Sequence, residues 1–452
     1  MNAKIYHLTS ACHHSASCAR PQTSLLAEIT AMMGRLAAGN MLAALLLSAF
    51  LITPHVAVAE LSTSEEKGIS LIIDDTTTLR FASGSFNAET IEGSIKDFTL
   101  IIDGEETFRG DRLTLERTHG SDPDIFLIKS LEIDNLRSIL PADEGSGFAV
   151  SQVRLSNIDV TDAVMLSDDL EDTLNVENAL KMASMALYEG PPSLRLRDVK
   201  SYGPIHDLSV DLIEFEAKSG FTLDGGYPLF ANAIFAFEGG HLKFPTSGTV
   251  APNPGDITQY FPDGLHIEMR MDSQGQQNGK TFDIEGDISV DITELLRMEY
   301  TVEFNISSDL VQRYQALLET LEEAPYDANN FDRNRLLSDM EIVTEAYFVN
   351  LLGMTLADQG ILDLMFMMSA AQNENLTPTE ARIQTASAAP QFVASLPPLN
   401  TPENIASIQS FILNGGAVTL EMTPTGNQNV AAILKGFYEG NMPVVIKMQH
   451  QP

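Results

Sequence analysis

Carboxylates are the most abundant groups in this chain that could do chemistry: 62 Asp and Glu stand against 27 Lys and Arg and 9 His. Asp283, Glu285 and Asp287 alternate with Phe282, Ile284 and Ile288 in an apolar–polar pattern. On an extended chain they share one face, about 7 Å apart. That spacing could flank a glycosidic bond with an acid and a base or nucleophile. Aromatics that stack sugars are thin, however, and there is no Trp, so the trio is read as a wet strand face. Asp168-Asp-Leu-Glu-Asp172 is denser but lacks the alternating acidic order and glycine of a calcium loop. Asp327-Ala-Asn-Asn-Phe-Asp332 puts Phe331 where an oxygen ligand belongs. Both are read as solvated acidic faces. Beyond residue 59 the histidines are His119, His206, His241, His266 and His450, far apart in sequence and expected as separate surface residues. No Gly-x-Ser-x-Gly elbow, His-Glu-x-x-His helix, phosphate loop or dinucleotide fingerprint occurs. No catalytic, cofactor-binding or metal-ligating residue is therefore assigned, and no cofactor is expected.

Cys12, His13, His14 and Cys18 form the one metal-like grouping. It precedes an export signal. Met41 to Ile52 is an uncharged apolar run, too short to cross a bilayer, which takes about 20 residues. Arg35 lies before it, Pro54 breaks it, and Ala57-Val58-Ala59 supplies the small residues of a cleavage site. The signal predicts cleavage after about Ala59, delivery to the periplasm, and no transmembrane segment afterwards. The length ahead of Arg35 makes Met32 or Met33 better placed starts than Met1. Residues 1–59 hold both cysteines, so the exported part has no thiol or disulfide chemistry. Their loss removes three Lys or Arg and one Glu and moves the formal charge from −35 to −37. Such a charge argues against nucleic acid, whose phosphates need a basic stripe, and against adhesion to anionic lipid. It is the charge of a soluble protein, as in a high-salt setting.

From Ile69 to about Ile306 the dominant period is two. Leu265, Ile267, Met269 and Met271 alternate with His266, Glu268, Arg270 and Asp272. Met298, Tyr300, Val302, Phe304 and Ile306 alternate with polar residues in the same way. Each run reads as an antiparallel strand with one apolar and one wet face. Asp272 to Gly279 and Asp224 to Gly226 read as turns between them. A short unit recurs in which the alternation meets Asp or Asn and then resumes: Ile95-Lys-Asp97-Phe98, Leu131-Glu-Ile133-Asp-Asn135-Leu136, Leu155-Ser-Asn157-Ile158, and Leu194-Arg-Leu196-Arg-Asp198-Val199. Asp and Asn tolerate unusual backbone angles, so each unit predicts a strand with a bulge or kink at that residue. One helix is expected to interrupt the strands, from Leu174 to Tyr188.

These units, with the export signal, resemble the AsmA-like repetitive β-sheet proteins of Gram-negative envelopes. The likeness covers roughly residues 69–306. It implies a long twisted meander and a role in outer-membrane biogenesis or lipid movement along an apolar groove. The chain departs from that group in being short and in lacking the N-terminal membrane anchor many members keep.

After Ile306 the period becomes helical. Ser308 or Asp309 can cap a helix carrying Leu310, Tyr314, Leu317, Leu318 and Leu321. Further helices are expected near Arg335 to Thr344 and Gly360 to Asn373, the latter with Met365, Met367 and Met368 read as core filler. Thr377-Pro-Thr-Glu380 is a capping box opening a helix to about Ala394, and Thr401-Pro-Glu403 opens another that Gly415-Gly416 closes. Ala346 to Ala357, Ala417 to Met422 and Pro443 to Met448 read as strands, and Val430 to Tyr438 as a helix. The stretch around Gly415 to Pro424 is similar to C-terminal regions of uncharacterised exported alphaproteobacterial proteins, a likeness that implies no activity.

The expected fold is α+β: a long twisted antiparallel meander over residues 60–307, then a mixed helical and α/β part over 308–452. The expected function is non-catalytic binding of an envelope protein or a hydrophobic, lipid-like ligand through the extended β surface. A hydrolase with a site assembled from scattered carboxylates, or a structural periplasmic spacer, are the alternatives.

Overall fold

The computed structural model describes residues 61–64, 68–72, 77–87, 92–118, 127–139, 147–159, 191–202, 207–222, 228–244, 260–310, 333–372, 376–394, 396–426, 428–439 and 441–452, with helical positions 312, 313, 316, 317 and 320. The export signal, the expected helix from Leu174 to Tyr188, the acidic runs at 168–172 and 327–332, the turn at 224–226, and His119 and His206 lie outside these residues.

The described strands are β1 (Leu61–Ser64), β2 (Gly68–Ile72), β3 (Thr77–Asn87), β4 (Glu92–Ile102), β5 (Glu105–Thr118), β6 (Leu127–Ser138), β7 (Gly147–Asp159), β8 (Ser193–Tyr202), β9 (Asp207–Thr222), β10 (Pro228–Lys243), β11 (Leu265–Asn278), β12 (Thr281–Ile292), β13 (Leu296–Ser307), β14 (Tyr347–Asp358), β15 (Ala417–Pro424) and β16 (Val444–Gln451). They form one open sheet in which each strand pairs only with its neighbours in sequence, always antiparallel. This is the predicted meander. It runs without a break across residues 307 and 308, because β13 pairs with β14 over most of its length.

Alternation decides which face is buried. Leu79, Ile95, Phe98, Leu100, Leu113, Leu115, Leu131 and Ile133 are less than 2 % exposed, while on the wet face Arg112, Glu132, Arg154, Arg195 and Glu214 tie neighbouring strands by ion pairs and Arg80 reaches Glu106 across β4. A second cluster joins Phe282, Ile284 and Ile306 to Phe304, Leu310 and Tyr347. Turn chemistry sets register. Asp103 and Gly104 both have positive φ between β4 and β5, as a two-residue type I′ hairpin needs. The stretch from Asp272 to Gly279 departs from expectation. It is strand as far as Asn278, and only Gly279 and Lys280 turn. Its Ser and Gln residues occupy ladder positions opposite β12 from Gly286 to Phe282, so pairing with β12 overrides the local turn signal.

The helices described along their whole length are α1 (Arg333–Thr344), α2 (Ile361–Gln372), α3 (Pro378–Val393), α4 (Pro402–Asn414) and α5 (Val430–Glu439). Alpha3 opens on the predicted box: Glu380 N–H donates to Thr377 Oγ1 at 3.2 Å, and Thr377 N–H donates to Glu380 Oε2 at 2.9 Å. Pro390 lies inside α3 and cannot donate to the Ala386 carbonyl one turn back. Gln409 of α4 donates there instead, at 3.2 Å. In α2, Ile361, Leu362, Leu364 and Phe366 take the packing face. Met365 and Met367 are 55 % and 42 % exposed, so they are not the core filler expected.

Alpha4 lies along β16 and closes the end of the sheet. The buried Asn404 side chain accepts from Met448 N–H at 2.8 Å and donates to the Ile446 carbonyl at 2.9 Å, as a neighbouring strand would. Ser407 donates to the Met448 carbonyl at 3.0 Å. An edge left bare is a template for further strands. Asn404→Ala leaves a backbone donor and acceptor unpaired, each worth about 1–3 kcal/mol. We expect a lower urea midpoint and association visible by light scattering; a monomer of unchanged stability would contradict this role. The cap gives a pH signature too. Hydrogen bonds from the Thr377 hydroxyl and backbone hold the Glu380 carboxyl below its ordinary range. Its contribution is full above the unfolded carboxylate range, about pH 4.3, and is lost as pH falls through the depressed folded value. Glu380→Gln should therefore flatten stability against pH in that acidic window, read by urea unfolding.

Candidate functional site

Three of the four recurring Asp/Asn units fall on one line across the sheet, and the fourth, at Asn157, lies farther along β7. Asp97, Asn135, Asn157 and Asp198 have φ of 52°, 55°, 54° and 48°, left-handed conformations that cost most L-residues about 1–2 kcal/mol and Asn or Asp less. At three of them the expectation of a bulge is refined. The register does not slip at Asp97, Asn135 or Asp198, so each is a kink. It holds because neighbouring strands all take the same extra step. Buried residues stand three apart rather than two: Ile95 and Phe98, Gly110 and Leu113, Ile133 and Leu136, Val150 and Val153, Leu196 and Val199, Val210 and Ile213. Two residues lie between the members of each pair, polar in every strand except β9, where Leu212 follows Asp211. The result is a crease running straight across β4 to β9.

One row of the crease is Asp97, Asp111, Asn135, Ser151, Asp198 and Asp211, aligned by the pairing of adjacent strands. Within this row the left-handed residues fall on β4, β6 and β8, and again at Gly239 on β10 (φ 64°), all strands of one direction. A Cβ at Gly239 would lie 2.3 Å from Asp211 Oδ2, so the Asp211 carboxylate rests over that glycine. Asn135 Nδ2 donates to Asp111 Oδ2 at 2.7 Å. Ser151 Oγ donates to Asp198 Oδ2 at 2.7 Å. Asp97 and Asp198 thus face Asp111 and Asp211 on the next strands, like-charge placements that cost stability.

A groove of about 560 Å³ opens along this row, over β5 to β9. Its second side is the next wet row, with Arg137, Lys200 and Ser209, two residues along the strands or about 7 Å away. Neither Arg137 nor Lys200 forms an ion pair among the described residues. The groove can accept hydrogen bonds along one side and offer cationic donors along the other.

The carboxylates singled out by sequence are elsewhere. Asp283, Glu285 and Asp287 do share the wet face of β12. Asp283 accepts from Asn305 and Asn278, and Asp287 accepts from Thr301 at 2.8 Å. Asp287 lines a smaller groove of about 280 Å³ with Asp272, which Arg270 holds at 2.6 Å; no histidine lines it. Two histidines expected apart are together. A register shift between Phe237 and Gly240 sets His241 opposite His266, their rings stacked at 4.2 Å, with His241 Nε2 donating to the Asp263 carbonyl at 2.6 Å. His450 is held by Ser410 and the Gly415 carbonyl. Among the described residues no three His, Cys, Asp or Glu side chains converge as metal ligands. Sequence reasoning found the kinks but missed Asp111, Ser151 and Asp211, which have no local signal and join the row only through register.

The kink makes a sharp prediction. Asn135→Gly keeps access to positive φ, whereas Asn135→Val should destabilise by about 1–2 kcal/mol more, because a β-branched residue resists that conformation. Equal urea midpoints for the two variants would show that the left-handed backbone is not what the position requires.

A family model described only as an uncharacterized protein matches residues 289–445, from within β12 to β16. The crease lies outside that stretch. A comparison with curated proteins returns no match.

Proposed function

We propose that the chain is an exported, non-catalytic binding protein of the bacterial envelope that engages its partner through the creased wet face of its sheet. The observation that carries this reading is the alignment of Asp97, Asp111, Asn135, Ser151, Asp198 and Asp211 across six strands. A plain spacer has no use for facing carboxylates in one line, which cost stability. Backbone strain and unfavourable charge placement concentrate where a surface is used. The periplasmic location rests on the signal in residues 41–59, and the AsmA-like kinship rests on the units around Asp97, Asn135, Asn157 and Asp198.

The lipid-groove version draws no support from the sheet, since the apolar rows of β3 to β9 are buried. The hydrolase version lacks a convergent acid and base: Asp111 and Asp198 are each tied to a neutral neighbour, and no histidine lines the groove. Photoreactive residues placed at Ser209 and Asp211 should give cross-linked adducts in intact cells, while one at the exposed Glu403 on α4 should not. Equal labelling at both places, or none in the crease, would remove the crease as the working surface.

A further inference from the structure

Building on that reading, we propose that the crease holds an acidic glycan: an extended polyhydroxylated chain bearing a carboxylate on about every second sugar. Strands lie about 4.8 Å apart, so the groove over β5 to β9 is about 19 Å long. It is open and shallow, and suits a linear chain better than a compact molecule. Ala149, Ser151 and Ser209 keep its floor low.

The two sides of the groove offer different chemistry. Asp111, Asp198 and Asp211 are acceptors. A carboxylate has about four lone-pair positions, and Asn135 and Ser151 use one each on Asp111 and Asp198. The rest can take hydroxyl protons from a sugar edge. Arg137 on β6 and Lys200 on β8 form the opposite side. They stand two strands apart, about 10 Å, close to the length of a disaccharide unit. Arginine grips a carboxylate through paired N–H bonds. The 7 Å between the rows keeps such carboxylates off the aspartates while the hydroxyl edge faces them.

An aromatic plane flanks the site. Tyr202 is 47 % exposed. It sits two residues beyond Lys200 on the same face of β8, opposite Gly147. A Cβ at Gly147 would lie 2.7 Å from the Tyr202 ring, so the ring lies over the bare glycine backbone, beside the groove and one row beyond Lys200. A ring held flat on the sheet suits the apolar face of a sugar. Other ligand classes fit worse. A nucleic-acid backbone carries a phosphate on every unit, more charge than Arg137 and Lys200 can answer beside the aspartate row, and the lining is too polar for an acyl chain.

The test is isothermal titration of the purified chain with two soluble probes of equal length. One alternates N-acetylglucosamine with N-acetylmuramic acid and carries no peptide; the other is an N-acetylglucosamine oligomer. The carboxylated probe should bind at least tenfold more tightly. The double variant Arg137→Gln, Lys200→Gln should abolish that preference without changing affinity for the neutral oligomer. Tyr202→Ala should weaken both probes tenfold or more, and Tyr202→Phe should restore them. These side chains are exposed, so far-UV circular dichroism should match the parent. Absence of binding to either probe, preference for the neutral one, or an unchanged preference in the double variant overturns the glycan assignment. If crease cross-links persist in that case, particularly as protease-sensitive adducts, the surface stands with a protein ligand. If they are absent too, the surface itself is wrong.

Discussion

The sheet depends on a phase change that every strand of the crease must make together. In a half-buried strand, advancing by one residue exchanges the core face for the wet face. Between Ile133 and Leu136 the chain advances three residues and yet returns to the core. A left-handed residue at Asn135 supplies the missing half-step. Were one strand alone to take it, the ladder would slip against both neighbours. The step in β4 is instead matched in each strand through β9, and the rows stay in register on both sides of it. The buried rows and the polar groove are two consequences of the same constraint.

Much of this was legible in the sequence, for physical reasons that also mark where legibility ends. Period-two alternation sets strand identity locally, and the late helices announce themselves at Thr377, Pro378, Thr401 and Gly415, where capping is a matter of a few adjacent residues. The kinks at Asp97, Asn135, Asn157 and Asp198 could be read because a short polar residue interrupts an apolar alternation that then resumes out of step. Their partners could not. Asp111 and Asp211 look like ordinary wet-face residues until pairing sets them beside Asn135 and Asp198. The same holds for His241 and His266, which stack only because of the irregularity at Phe237 to Gly240. The Gln- and Gly-rich end of β11 departs from its turn signal for the converse reason: the β12 ladder imposes extension on residues that alone prefer to turn.

The far end of the sheet solves a different problem by related means. A row of backbone donors and acceptors on β16 would be as adhesive as any edge. Asn404 and Ser407 occupy it with side chains that imitate a strand. Alpha4 in turn relies on α3, and Gln409 answers the carbonyl that Pro390 leaves open. Polar side chains standing in for missing backbone partners thus recur here, and α4 acts as a cover on the edge.

The direction of the left-handed strands limits how such a molecule could change length. In the crease the left-handed residues sit on β4, β6, β8 and β10, every second strand, all running the same way, while Asn157 on β7 lies outside it. Inserting or losing a single strand would reverse the polarity of everything after it and place two like strands side by side. Inserting or losing a hairpin would leave the crease intact and simply lengthen or shorten the groove. The natural unit of growth is therefore a strand pair, and the span of the groove should vary among descendants in steps of about 10 Å, the width of two strands.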